Sequence, residues 1–330
     1  MDTHALVYSA YGKPTEVLRW EGRALDDLRD DQVRVRLIAS PIHPSDIGLI
    51  QGSYGTRREL PAVGGREGIG EIVACGSAVT GLKPGQRVRL PAEQGIWQTL
   101  HHVSATACLP LPRDVPDLQA AQAFINPVTA LAILTECVPL EPGDWISLNA
   151  ANSAVGLSFI RMARWMGFRT LAVIRRPDWE DSLKALGADA VVPDNDDWPG
   201  RVRELTGGQP VRLALNQVGG QSVYRLIKAL GEGGTCVTIG AAASEAIRFP
   251  TRYLIFNDIR LIGFWLDAWL SRQSAGDIAN LYARVFAWMA AGDLELPVAD
   301  TFPLERYQAA FAALEEPRLG KVLFHVETTS

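Results

Sequence analysis

The chain has 330 residues, 47% of them apolar and 21% charged, with a formal net charge of −5. That length exceeds one ordinary domain and suits two, and the apolar fraction supplies ample core. The negative balance argues against a nucleic-acid partner, which demands clustered Lys and Arg, and no run of about 18 apolar residues offers a membrane span. The four cysteines, Cys75, Cys108, Cys137 and Cys236, lie far apart and write neither a zinc knuckle nor a redox pair. They fit single thiols in a reducing, cytoplasmic setting, and the first residues carry no basic–apolar signal pattern.

The first ~120 residues read as β-rich. Ala5-Leu6-Val7-Tyr8 opens as a strand, and residues 32–39 alternate apolar and charged side chains as a half-buried strand does. Further strands are expected over 69–74, 87–90 and 96–103, punctuated by turns such as Gly81-Leu82-Lys83-Pro84-Gly85. Many short strands imply a partly closed, antiparallel, barrel-like domain. From Asp117 the pattern changes: 118–123 and 127–138 read as helices, and 139–144 as a turn. Strands are then expected at 145–148, 170–174, 190–192, 211–216 and 235–240. Helices fall between them at 157–166, 179–186, 198–205 and 222–230. That alternation predicts a parallel sheet covered by helices. Beyond it come strand-like runs at 253–256 and 259–264, helices at about 274–291 and 304–314, a last strand at 321–326 and a short tail at 327–330. The tail is expected to rejoin the first domain. The division is 1–125 for the barrel domain, 126–265 for the inserted nucleotide domain and 266–330 for the return.

Residues 144–176 form a strand–turn–helix–strand unit, the opening half of a dinucleotide-binding fold. A dinucleotide pyrophosphate is held by backbone N–H groups and by the positive end of the following helix, so the turn must be built of small residues. Here it is Asn149-Ala150-Ala151-Asn152-Ser153-Ala154-Val155-Gly156, with Ser153 and Ala154 ahead of a lone glycine. Alone this motif is weak, and a tight strand-to-helix packing turn is its second reading. The second strand ends in Arg175-Arg176, about 20 residues on, where NAD-preferring folds place an acid for the ribose 2′-hydroxyl. Two guanidiniums suit a 2′-phosphate, which points to NADPH.

With these residues in view, the chain resembles the zinc-free branch of the medium-chain dehydrogenase/reductase superfamily, and within it the 2-enoyl thioester reductases of the mitochondrial trans-2-enoyl-CoA reductase type. The resemblance rests on Ile42-His43-Pro44-Ser45-Asp46, Gln51-Gly52-Ser53-Tyr54-Gly55, Leu60-Pro61-Ala62-Val63-Gly64-Gly65 and Asn126-Pro127-Val128-Thr129-Ala130. It rests also on the 149–156 turn, the 212–220 block and Leu261-Ile262-Gly263-Phe264-Trp265-Leu266. It implies an α/β protein with a GroES-like β-barrel catalytic domain, a Rossmann doubly wound parallel-sheet domain and a cleft holding NADPH and an enoyl thioester. It implies hydride delivery to the β-carbon, with Tyr54 protonating the α-carbon. By position it assigns cofactor contacts to Asn126, Asn152, Ser153, Ala154, Val155, Ile239, Gly240, Ala241, Ala242, Phe264, Trp265, Leu266 and Lys321, beside Arg175 and Arg176. Phe264 and Trp265 read nearly as well as core packing, and Lys321 as a solvated strand-end charge. A homodimer joined through residues 253–264 is also implied.

Zinc-dependent members place a cysteine near the His43 block and a histidine in a Gly-His-Glu motif. This chain has His43 and Gly65-Arg66-Glu67 there, and an arginine does not ligate zinc, so no metal is expected. His43 departs from the asparagine of the enoyl reductases and reads as a hydrogen-bonded structural group or, second, as part of a proton relay. The favoured function is NADPH-dependent reduction of trans-2-enoyl thioesters carried by CoA or a carrier protein. A zinc-free NADPH:quinone oxidoreductase, or a reductase of another activated alkene, is the nearest alternative, and a non-catalytic NADPH-binding protein the more distant one.

Overall fold

The computed structural model describes residues 2–242 and 246–326, so the expected tail at 327–330 lies outside the described residues. The chain divides into two compact units, one from its start to Phe124 and again from Pro297, the other Ile125–Leu296.

The first unit is built on antiparallel pairing. Gln32–Pro41 is its spine, flanked by Ile69–Cys75 on one side and by Leu100–Ser104 and Lys321–His325 on the other. Arg87–Arg89 and Leu109–Pro110 extend the sheet at one edge, and Val298–Phe302 runs parallel to Lys321–His325 at the other. A smaller sheet sets Asp2–Tyr8 between Leu18–Ala24 and Ala62–Val63. The alternation in the spine buries Val33, Val35 and Leu37 completely. They join Leu6, Tyr8, Ile72, Val88 and Phe324 in one core around Trp97. Trp97 packs edge-on against Phe311 and Phe324, at centroid distances of 5.9 and 5.2 Å.

The second unit holds six parallel strands in the order Ala190–Pro193, Arg169–Ile174, Trp145–Leu148, Val211–Asn216, Leu230–Thr238, Arg260–Gly263. In chain order this is third, second, first, fourth, fifth, sixth, the arrangement of a dinucleotide-binding sheet. The central strands are buried on both faces, which is why they read as continuous apolar runs.

Several elements differ from the sequence reading. Residues 253–256 form a helix, Arg252–Phe256, rather than a strand. A short apolar run has no period to separate the two, and the turn bonds Tyr253 N–H to Pro250 O and Ile255 N–H to Thr251 O decide for the helix. The helix expected over 127–138 is Asn126–Ala132 followed by a wider π turn, Ile133–Cys137. The strands Leu18–Ala24 and Val298–Phe302 went unread, since their side chains are largely exposed and backbone pairing alone holds them. The second boundary falls after Leu296, later than the expected 265. Helix Ala275–Ala290 buries Val285, Phe286 and Met289, and packs Trp288 against Trp165 in a tilted pair 4.8 Å apart, which ties it to the parallel-sheet unit.

Candidate active site

In the first unit, helix Pro44–Gln51 ends at Gly52, whose φ of 72° turns the chain back. The Ser53 and Tyr54 N–H groups both donate to Gly48 O, at 2.9 and 3.1 Å, so Tyr54 stands directly on the helix end. Its phenol is half-buried, and the Arg66 guanidinium lies over the ring at 4.8 Å while Nη1 donates to the phenol oxygen at 3.1 Å.

Arg66 rides on a stiff backbone. Gly64 and Gly65 pass beneath Trp97, where a Cβ on Gly64 would fall 2.2 Å from the indole, and Gly65 has a φ of 89°. Gly64 O accepts from the Ile96 and Trp97 N–H groups, and the Arg58 guanidinium donates to Gly65 O at 2.9 Å.

Behind Arg66 lies a buried charged corner. Glu67 accepts from His43 Nε2 at 2.5 Å and from the Phe124 N–H at 2.6 Å, while Asp46 Oδ2 accepts from the His43 N–H at 2.7 Å. Burial, then the Lys321 charge, holds the His43 imidazole below its usual pKa, so the ring is neutral and its Nε2–H serves Glu67. Burial pushes the Asp46 carboxyl up, and Asp46 Oδ1 has no hydrogen-bond partner. Lys321 is also buried rather than solvated: Nζ donates to Ile42 O at 2.9 Å, and burial brings its pKa down to about 8. His43 is thus hydrogen-bonded at both ends, its Nε2 to Glu67 and its backbone N–H to Asp46. With Arg66 on a phenol and His43 on Glu67, the residues at these positions do not fit a zinc ion. No group of three or more His, Cys, Asp or Glu able to hold a metal occurs among the described residues.

The parallel-sheet unit carries the other candidates. Ser153 caps the helix Ala154–Trp165: its Oγ accepts from the Gly156 N–H at 3.1 Å and donates to Gln217 Oε1 at 2.7 Å. The first-turn N–H groups of Ala154 and Val155 stay outside the helical ladder, available to an anion. Ala150 holds the left-handed region at φ 46°, a strain of roughly 1 kcal/mol in a non-glycine residue. An amide network fixes the turn. Gln217 donates from its N–H to Asn149 Oδ1 and from Nε2 to Asn149 O, both at 2.7 Å. Asn149 Nδ2 in turn donates to Asn216 Oδ1 and Ser222 Oγ.

The segment 239–242 belongs to the same cluster, since Ile239 N–H donates to Asn216 O and Ala242 N–H to Gln217 O. Arg175 and Arg176 are exposed at the end of the adjacent strand, and neither makes an ion pair among the described residues. Asn126 opens its helix buried, with Nδ2 unpartnered. Phe264 follows the last strand through its N–H bond to Thr238 O and packs on Trp269, Trp265 is 39% exposed, and Leu266 is buried core. Lys321 belongs to the first unit, beside His43. A small-residue turn at a helix N-terminus, two unpaired guanidiniums and an orphaned buried amide fit a phosphorylated dinucleotide. The sequence reading missed Gln217 and Arg66. Gln217 carries no sequence signal beyond its block, and Arg66 had counted only as a residue that does not bind zinc.

Residues 29–113 match the alcohol dehydrogenase GroES-like domain and residues 154–282 the zinc-binding dehydrogenase family. The human mitochondrial enoyl-[acyl-carrier-protein] reductase is 41% identical over 320 residues, covering 95% of this chain and 86% of that protein. This chain belongs to the 2-enoyl thioester reductases of the medium-chain dehydrogenase/reductase superfamily. Among solved structures of similar fold, the Etr1p/NADP/crotonyl-CoA complex has a TM-score of 0.91 at 28% identity, covering 99% of this chain and all of that one. A Bacillus thuringiensis structure provisionally assigned to the NADPH:quinone reductases matches at the same TM-score, identity and coverage. The zinc in the family's description is therefore one that this member's Arg66 and Glu67-bound His43 do not accommodate.

Proposed function

We propose that the protein reduces the double bond of trans-2-enoyl thioesters with NADPH, Tyr54 giving the proton to the α-carbon. NADPH, when bound, supplies a hydride to the β-carbon. The residues that would hold it are the 152–155 turn, Arg175, Arg176, Asn126 and the 239–242 segment. The observation that carries the reading is the Tyr54 phenol, seated on a helix end and held by a guanidinium. Conjugate hydride addition leaves an enolate that must be stabilised and protonated, and a phenol with a reference pKa of ~10 keeps its proton at neutral pH until the enolate forms.

Following NADPH absorbance with crotonyl-CoA tests this. Tyr54→Phe is expected to lower kcat by about 10²–10⁴-fold. The alternative, quinone reduction, draws on the likeness to the quinone-reductase structure, and there the proton comes from water. Equal quinone and crotonyl-CoA turnover, both indifferent to Tyr54→Phe, would sink the thioester assignment.

We further propose a homodimer. Support comes from the edge strand Arg260–Gly263, with Leu261 and Ile262 each 38% exposed, and from Ile255 and Phe256 at 67% and 76% exposure. Our reading of the thiols favours the cytoplasm, whereas the relatives are named as mitochondrial enzymes. Among the described residues no helix is long and apolar enough to cross a membrane.

A further inference from the structure

We propose that Arg66 is a positioning residue for the proton donor, fixing the Tyr54 phenol and holding the phenolate charge that proton transfer leaves behind. The inference deepens the reading of Tyr54 given above and rests on it.

A guanidinium has donors only, so in the 3.1 Å contact Nη1 donates and the phenol oxygen accepts. The Tyr54 O–H is therefore not spent on Arg66, and the phenol keeps its role as a donor. The guanidinium also lies over the ring, at 4.8 Å from Cζ to the centroid. Arg66 thus covers one face of the Tyr54 ring and holds the phenol oxygen at the same time.

That side chain is well anchored. Its backbone is clamped between the Gly64–Gly65 passage under Trp97 and the Glu67 carboxylate held by His43 and Phe124. Asp46, a buried carboxylate, is an electrostatic neighbour of opposite sign to Arg66. The helix that carries Tyr54 at its end begins beside Asp46. The cation is therefore held by surroundings that do not depend on the substrate.

In the step itself the Tyr54 O–H bond breaks and a Cα–H bond forms with the enolate's electron pair. The oxygen keeps its bonding electrons as phenolate, and water later returns the proton. An arginine stays protonated throughout, so the charge created on oxygen is formed against a fixed cation at hydrogen-bond distance. A neutral amide at this position would orient the phenol without holding the charge.

The test is a double-mutant cycle in the full-length enzyme with NADPH and crotonyl-CoA, NADPH binding being followed by fluorescence to verify folding. Arg66→Gln is expected to lower kcat about 10–100-fold, the range of one charge-assisted hydrogen bond, with KM for crotonyl-CoA unchanged. Arg66→Lys should recover most of the loss. Tyr54→Phe with Arg66→Gln should be no slower than Tyr54→Phe alone, because Arg66 acts only through the phenol. A further loss in the Tyr54→Phe background, or a rise in KM at constant kcat, overturns the proposal and makes Arg66 a substrate contact. A wild-type rate for Tyr54→Phe alone removes the donor role of Tyr54, a different failure that the same data separate.

Discussion

His43, Asp46, Glu67 and Lys321 meet in one buried corner of the first unit, where burial shifts the ionisation of His43, Asp46 and Lys321. Lys321 is pulled down to about 8 by burial, with Asp46 and Glu67 opposing the fall. An unfolded lysine titrates near 10.5, so between about 8 and 10.5 the unfolded chain binds the extra proton. Stability from this residue is thus complete above 10.5 and is lost as pH falls through about 8. The size is roughly 3 kcal/mol for a shift of this extent. Denaturant unfolding of wild type and Lys321→Met at pH 7.5 and pH 10 should show wild type gaining on the variant as pH rises. Parallel curves would mean that Lys321 is not desolvated. Sequence alone makes Lys321 a basic residue at the start of a strand, with no sign that it is buried. Its burial follows from pairing Lys321–His325 against the end of Gln32–Pro41, which puts Nζ on Ile42 O.

The unit from Trp145 to Arg176 shows what a local pattern conveys. Its strand, turn, helix and second strand were legible because apolar runs, small residues and a terminal arginine pair follow one another in a fixed order. Gly156 is required for contact as well as for the turn: a Cβ there would meet Ala151 O at 2.6 Å. The clasp by Gln217 was not legible, since it lies 68 residues from Asn149 and becomes a neighbour only when Val211–Asn216 pairs with Trp145–Leu148. The arginine pair has a direct consequence for the cofactor. Neither side chain makes an ion pair among the described residues, so a 2′-phosphate would be their counter-charge. Replacing both Arg175 and Arg176 by Asp should weaken NADPH relative to NADH by about 100-fold or more, each charge-assisted bond being worth roughly 1.5–3 kcal/mol. Dissociation constants for the two nucleotides, measured by fluorescence, check this, and an unchanged ratio would remove the assignment.

At the scale of the whole chain, the first unit is closed by its last strands, so the barrel is complete only after the parallel sheet has been inserted. Arg260–Gly263 ends that sheet with its side chains exposed, an edge that invites pairing with a second copy. If the proposed homodimer forms through this edge, Ile262→Lys should convert it to monomers in sedimentation equilibrium without unfolding the chain, because the residue is not in the core. A wild-type chain that sediments as a monomer would dispose of the homodimer. The sequence by itself determined the α/β class and the parallel strand series, and it singled out the 149–156 turn, the arginine pair and Tyr54 as candidates, all of which rest on residues close together in the chain. Tertiary structure alone decided that residues 253–256 are helical, that helix Ala275–Ala290 joins the parallel-sheet unit, that Lys321 is buried and that Arg66 lies on Tyr54. The reason is range: a periodicity or a motif is set by a few consecutive residues. Burial and the partner of a charge are set by strands and loops that only folding brings together.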